Sequence, residues 1–535
     1  MKASLIAALA ATVFLLGNFL DGPDAGTVVV AQDLHVSTDL AARAEWQAPV
    51  EAAARPQRRI DARLNGRLRA IVGGAIEDAQ RASKGVSNRQ NTFLSVHVRE
   101  LGTDGALASI GADRSVRPAS NMKLATTAAA LVLLGGDWQF TTHFDATGPI
   151  ENGTLRGDLV VRAGGDPLFE LGGRGDVAPL LAPVVAELRA AGVRRIAGDL
   201  VLDQGTYLEP GPGPAWPDAT QYWKDYCALA AGFTANGGCI SAVVTPAAQG
   251  QTATRRVRPK HLDLPLRGSV KTGKTGSKLD VRIGATRTAA TVTGSIPAGL
   301  DTQQYRFSHP DPVALFGSCL AGALQDGGVQ LDGTVRRERG VPAADRIATL
   351  RSPLLPLLTP INTDSDNGVA DQVFLALGHA IDGAGTREGS ARAVAQALDR
   401  LGLDADGWVQ VDGSGLSRDN RITARKLAAL LDAVLSLDAA AAQAYVSSLA
   451  IAGRTGTLEH RMRGTLAENR VRAKTGWIRG TSALSGVAET ADGRLLVFSI
   501  LVDYPARAGG LNKSVFKPMQ DTICNELVTW KAKAQ

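Results

Sequence analysis

The sequence predicts an α/β fold, α+β in kind, interrupted by a mainly β insertion. Three observations predict it. Helical periodicity and strand-like alternation occupy the first part of the chain. From about His143 to Leu350 the chain becomes a series of short alternating runs split by Gly, Pro and Asp. Helical periodicity then returns, and the chain closes on a strand pair and a helix. One domain interrupted by an insertion explains that order better than independent beads.

Lys2 precedes an apolar run from Ala3 to Leu20, which Asp21-Gly22-Pro23 breaks. This has the form of an export signal, with a cleavage site at Val29-Val30-Ala31 before Gln32. The run is also long enough to stay as an anchor, because about 18 apolar residues begin to span a bilayer. Residues 1–31 are therefore a signal peptide or N-terminal anchor. The Ala-rich, polar stretch that follows, with Pro49 and Pro56, makes 32–58 a linker.

Ile60, Leu64, Leu68, Ile71 and Ile76 recur at helical spacing. Phe93–Leu101 alternates as a strand, and Gly102-Thr103-Asp104-Gly105 turns into another near Ile110. Leu124–Leu134 is a compact apolar helix. Within the insertion, Leu155–Val161, Asp199–Leu202, Leu279–Ala285 and Ala290–Ile296 read as strands. Helices follow at Val369–Ile381, Arg392–Leu401 and Ala424–Leu435, the last capped by Thr423. Ala483–Glu489 and Leu495–Val502 form a hairpin around Asp492-Gly493. Val515–Trp530 closes the chain, with Pro518 in its first turn. The division is one discontinuous domain, 59–145 with 352–535, and an insertion of one or two small domains at 146–351.

At 44% hydrophobic and 21% charged residues, the composition is that of an ordinary globular protein. The net charge of +6 is spread over 535 residues without a compact basic run interleaved with aromatics, so nucleic-acid binding is excluded. Four cysteines fit an exported protein. Cys227 and Cys239 flank a Gly/Asn-rich segment and are placed for a short bridge; four buried free thiols are the alternative. No Cys-x-x-Cys or His-Glu-x-x-His occurs, so no metal and no cofactor is expected.

Pro118-Ala119-Ser120-Asn121-Met122-Lys123 places Lys123 one helical turn after Ser120, on the same face. A neutral lysine there can take the serine proton, provided burial or nearby cations lower its pKa. Alone, Ser-x-x-Lys is a weak signal. Ser365-Asp366-Asn367 before a helix, and Lys474-Thr475-Gly476 on a strand before the hairpin, change that. Such a trio in this order marks penicillin-binding proteins and serine β-lactamases.

The surrounding stretches resemble the D-alanyl-D-alanine carboxypeptidase/endopeptidase family, the class C low-molecular-mass penicillin-binding proteins. They are Arg117–Ala130, Ala163–Phe169, Ser365–Leu375, Val411–Arg418 and Val471–Gly486, with Gly456-Thr457-Leu458 upstream. The long interval between Ser120 and Ser365 is itself a family trait. The resemblance implies a penicillin-binding transpeptidase/β-lactamase-like domain, an antiparallel sheet with helices. It implies Ser120 as nucleophile, Lys123 as its base, Ser365 as proton relay and Asn367 as holder of the substrate amide. Lys474 would supply positive charge for a terminal carboxylate. Thr475 and Gly476 would line the substrate strand, and the backbone N–H groups of Ser120 and Trp477 would form an oxyanion hole. Gly415 and Leu416 would lie near the pocket. Trp477 departs from the family pattern, which has Thr or Ser there; it is expected to alter specificity while keeping the backbone donor.

Residues 268–275 match a phosphate-loop pattern, but a strand, Leu279–Ala285, follows where a helix is required. A basic hairpin turn is the reading, and nothing in the sequence supports a contact with anionic wall polymer there. The implied activity is cleavage of D-alanyl bonds in peptidoglycan stem peptides and cross-links through an acyl-enzyme that β-lactam antibiotics trap. The expected location is the periplasm or cell envelope, with membrane association through the N-terminus if the anchor is retained. A β-lactamase or esterase, or a non-catalytic wall-binding protein, is the competing outcome on the same scaffold.

Overall fold

A computed structural model describes residues 55–532 apart from 174, 263 and 287. The leader and residues 32–54 of the linker lie outside the described residues. Among those described, no helix is long and apolar enough to cross a membrane.

The central element is a six-stranded antiparallel sheet. Its order is Ala450–Ile451, Val471–Ile478, Thr481–Glu489, Leu495–Asp503, Phe93–Glu100, Ala108–Ile110. Two strands therefore come from before the insertion and four from after it. Nearly every residue of Thr481–Glu489 and Leu495–Asp503 is buried, so both faces are covered. Leu64, Leu68 and Val72 of helix Ala62–Ala82 join Ile523 and Leu527 of helix Lys517–Thr529 in a core with Val96, Phe498 and Ile500. Helix Ala424–Val434 packs on strands Phe93–Glu100 and Leu495–Asp503. Helix Met122–Leu134 lies among Asn367–Asp382, Arg387–Arg400 and Ala424–Val434. It is buried almost all round, which is why its apolar run is continuous and not periodic.

Local chemistry sets the ends of these elements. Thr423 caps Ala424–Val434 through its hydroxyl, which accepts from the Lys426 N–H at 3.1 Å. Asp366 caps Asn367–Asp382, accepting from Val369 at 3.0 Å. Gly493 turns the terminal hairpin at φ +79°.

Between the two halves of this unit the chain builds further sheets. A five-stranded sheet includes Gln139–Ala146, Leu159–Arg162, Leu200–Asp203, Val335–Glu338 and Asp345–Pro353. A three-stranded sheet holds Cys239–Thr245, Thr254–Arg258 and Gln303–Ser308. A four-stranded sheet holds Leu266–Arg267, Val270–Gly273, Asp280–Ala285 and Ala290–Pro297. The phosphate-loop look-alike thus lies on a strand and the turn after it, and a strand comes next. The insertion also contains two helices that alternation does not reveal, Ala178–Ala190 and Pro312–Asp326. The first carries Pro183 in its interior, which masks its periodicity.

Cys227, Cys239 and Cys524 are free, buried thiols, so the Cys227–Cys239 bridge is not formed. Cys227 ends a short 3₁₀ turn, Asp225–Cys227, and the Cys239 sulfur lies 3.7 Å from the Asp225 carbonyl. Burial pushes both thiols up to about 12.

Tyr207 of the insertion is buried in a slot formed by backbone. A Cβ built on Gly165 would fall 2.2 Å from its hydroxyl, and one built on Gly385 would fall 2.3 Å from its ring. The ring stacks on His379 at 4.6 Å, while the hydroxyl has no hydrogen-bond partner among the described residues. Tyr207→Phe is therefore expected to leave stability within about 1 kcal/mol of the native protein or to raise it. Tyr207→Ala is expected to cost about 3–5 kcal/mol. Urea unfolding of both variants measures this, and equal losses would contradict it.

Candidate active site

Ser120 sits in a 3₁₀ turn, Ala119–Asn121, that leads directly into helix Met122–Leu134. Ala119 takes φ +48°, a left-handed conformation unusual for a residue with a side chain. The turn is wedged against two glycines. A Cβ on Gly415 would fall 1.9 Å from the Ala119 carbonyl oxygen, and Gly415 itself needs φ +79°. A Cβ on Gly476 would meet the Pro118 carbonyl at 2.8 Å. On the sheet side, Asn121 Nδ2 donates to Ser485 Oγ at 2.7 Å, and Ser485 meets Ser499 at 2.9 Å. Ser485 pairs directly with Lys474 across the strands, so the turn is pinned to the strand bearing Lys-Thr-Gly.

Lys123 is fully buried. Its ammonium lies 3.2 Å from Ser120 Oγ, 2.6 Å from Asn367 Oδ1 and 2.7 Å from the Ser414 carbonyl. Burial lowers its pKa to about 8, partly offset by the charges of Asp371, Asp412 and Asp366. Asp371 receives the Ser414 N–H at 2.8 Å, and burial beside Asp412 pushes it up to about 7. Asp412 accepts from the Gly415 and Ser417 N–H groups at 2.8 and 2.7 Å and from Asn420 at 2.8 Å. These two carboxylates shape the loop that supplies the Ser414 carbonyl. Neither is part of the three motifs, and only their buried carboxyl type in Ser365–Leu375 and Val411–Arg418 signals them.

Lys474 is also fully buried and donates to the Thr475 carbonyl at 3.0 Å. Burial, with repulsion from Lys123, holds it well below the usual lysine range, and Asp364 opposes the shift. Ser365 takes φ +68° immediately before the cap Asp366, and its hydroxyl makes no hydrogen bond with the described residues. Thr475 and Gly476 follow Lys474 on Val471–Ile478. Leu416 is buried beside Gly415. Trp477 is 58% exposed, and its indole is directed to the Tyr504 hydroxyl. It lines a cavity of about 200 Å³ with Arg479, Tyr504 and Lys513.

The insertion reaches the Ser-Asp-Asn loop directly. The Tyr226 carbonyl accepts from Asn367 Nδ2 at 2.7 Å. That fixes the amide so that its oxygen faces Lys123. Arg306, on strand Gln303–Ser308, pairs with Asp366 at 2.8 Å. Trp216 Nε1 donates to Asp412 at 3.0 Å. Sequence patterns do not reveal these contacts, because each is a single ordinary residue or a backbone atom, remote in the chain from what it holds.

Residues 83–523 match the D-Ala-D-Ala carboxypeptidase 3 (S13) family. The D-alanyl-D-alanine carboxypeptidase of Actinomadura sp. (strain R39) is 37% identical over 428 residues, which cover 76% of this chain and 77% of that protein. The D-alanyl-D-alanine carboxypeptidase DacB of Haemophilus influenzae is 27% identical over 392 residues, 71% of this chain and 79% of the relative. Among solved structures, penicillin binding protein 4 from Haemophilus influenzae superposes with a TM-score of 0.67 at 23% identity, covering 85% of this chain and 99% of that one. That likeness is one of fold.

Arg306→Met leaves the carboxylate of Asp366 without its ion-pair partner while the helix cap remains. Because the arginine is partly exposed, the expected loss is about 2 kcal/mol, below the range for fully buried pairs. Urea unfolding checks the loss, and hydrogen exchange should show faster opening of Ser365–Val369. Unchanged protection there would show that the pair does not hold the loop.

Proposed function

The chain belongs to the D-Ala-D-Ala carboxypeptidase 3 (S13) family, and from that premise we propose that it cleaves D-alanyl peptide bonds of peptidoglycan through an acyl-enzyme on Ser120. The observation that carries this reading is the fully buried Lys123 amine, 3.2 Å from Ser120 Oγ. A lysine kept near neutrality at that distance can take the hydroxyl proton as the oxygen attacks the carbonyl. Asn367 Oδ1 and the Ser414 carbonyl aim the amine and limit its rotation.

The remaining roles follow from position. The backbone N–H groups of Ser120 and Trp477 form the oxyanion hole, on a turn and a strand held together by Asn121 and Ser485. Ser365, with its hydroxyl unengaged, passes a proton to the leaving amine. Asn367 and Thr475 hold the substrate's polar groups, and Gly476 lets the peptide approach the strand. Gly415 and Leu416 wall the nucleophile turn. The free enzyme suppresses charge on Lys474, and an incoming carboxylate supplies the counter-charge that stabilises its ammonium. Penicillins trap the same serine, because the β-lactam carbonyl meets the same nucleophile and the same donors.

Residues 59–145 and 352–535 form the catalytic unit in this reading, and 146–351 the insertion. The N-terminal apolar run supports export to the cell envelope, as signal or as anchor. The indole of Trp477, turned to Tyr504, supports a change of specificity with competence retained.

Ser120→Ala is expected to abolish labelling by a fluorescent penicillin and to lower peptide cleavage by roughly 10⁶. A stable adduct in the native protein supports the peptidase, rapid turnover supports a β-lactamase, and no adduct supports a non-catalytic protein. Label recovered on Ser365 or Ser414 would refute the assignment. The rate of penicillin acylation should also rise with pH through about 8, the value to which burial lowers Lys123. The base is active when neutral, so protonation below that value makes the rate about tenfold lower one pH unit down. A stopped-flow profile that stays flat from about pH 6 to about pH 9 would remove Lys123 as the base.

A further inference from the structure

The chain's positive charge is concentrated in one place. Residues 254–287 contain ten Lys or Arg against two Asp, whereas the rest of the chain has 48 against 50. The whole net surplus of +6 therefore resides in about one-sixteenth of the sequence, and the reading of a diffuse charge is corrected. This segment builds strand Thr254–Arg258 and three of the four strands of the inserted sheet.

Strand register sorts the side chains onto two faces. On the central strand, Ala290–Pro297, the residues Ala290, Val292 and Ile296 are buried in the core of the insertion together with Val270. The alternate residues Thr291, Thr293 and Ser295 face outward as a row of hydroxyls. Arg267 pairs across from Thr291, and Lys271 from Ser295, along one edge of that strand. Arg282 pairs across from Thr293 on the other edge. Lys274 and Lys278 are exposed in the turn that follows Val270–Gly273. Only Arg282 has an acidic partner, Asp280 at 3.1 Å; Arg267, Lys271, Lys274 and Lys278 form no ion pair with a described residue. Neighbouring strands stand about 4.8 Å apart, so these cations are held close together by the sheet and repel one another.

We propose that this face binds a linear phosphodiester polyanion of the cell envelope, laid along the Thr291–Thr293–Ser295 row between Arg267 and Lys271 on one side and Arg282 on the other. Guanidinium forks and ammonium groups neutralise the phosphates, and the Thr293 and Ser295 hydroxyls donate to the remaining phosphate oxygens, the Thr291 hydroxyl being already engaged with the Gly284 carbonyl at 3.1 Å. A row of hydroxyls is suited to a hydrated polymer; a membrane-surface site would place apolar side chains there instead. The role of such a site is to keep the enzyme on its insoluble substrate, and it does not depend on the assignment of Ser120.

The test uses the full chain and purified poly(glycerol phosphate), with neutral dextran and phosphatidylglycerol vesicles for comparison. Native protein should bind the polyphosphodiester and not dextran, with affinity falling roughly tenfold to a hundredfold between about 50 mM and about 200 mM salt. The triple variant Arg267→Glu, Lys271→Glu, Arg282→Glu should lose that binding by a factor of about ten or more. A control that changes net charge equally, Arg59→Glu, Arg63→Glu, Arg69→Glu, should retain it. Penicillin acylation should be unchanged in the triple variant, which shows that the fold is intact. Absence of binding, equal loss in the control, or a preference for the vesicles would each overturn the proposal.

Discussion

Bringing an amine out of water is costly, and the fold has to make up that cost around Lys123. Three acceptors do so: Ser120 Oγ, Asn367 Oδ1 and the Ser414 carbonyl. They come from three segments far apart in the chain, so the amine can be satisfied only when the helix, the Ser-Asp-Asn loop and the 412–417 loop are all assembled. A buried, hydrogen-bonded amine is thus a local requirement with global reach. The carboxylates beneath it, Asp371 and Asp412, keep it from losing its proton altogether. The balance between burial and those charges leaves the amine near the pH at which it can both accept and return a proton.

The same logic explains why the insertion is tied so closely to the site. Asn367 has two polar ends, and Lys123 uses one. The other donates to the Tyr226 carbonyl, which removes the choice of amide orientation. Arg306 satisfies Asp366, whose second oxygen is already occupied by the helix cap. Trp216 does the same for Asp412. The insertion therefore supplies partners to Asn367, Asp366 and Asp412 that their own loops do not provide.

How far the sequence reveals this depends on the range of the interactions. The helices and the terminal hairpin are legible because periodicity, Thr423 and Asp492-Gly493 act within a few residues. The trio of motifs is legible because its chemistry fixes residue type. The helix Ala178–Ala190 escapes notice because Pro183 interrupts it and its neighbours alternate. Arg306, Tyr226 and Trp216 escape notice for another reason: their value lies in contacts across 60 residues or more, and a backbone carbonyl leaves no mark on composition. The left-handed turns at Ala119 and Ser365 are equally silent, since neither residue type announces a positive φ. The free state of Cys227 and Cys239 likewise depends on how the chain places two sulfurs.

Those unbridged sulfurs have a practical consequence. Thiols act through their thiolates, and burial pushes Cys227, Cys239 and Cys524 far above neutral pH. Oxidants and alkylating agents find little to attack while the fold holds. Because Cys227, Cys239 and Cys524 form no bridge, the packing around them does not wait for an oxidising compartment or an isomerase. The polypeptide should accordingly reach its native state in a reducing cytoplasm as readily as outside it, and reductants added during purification should leave it unchanged.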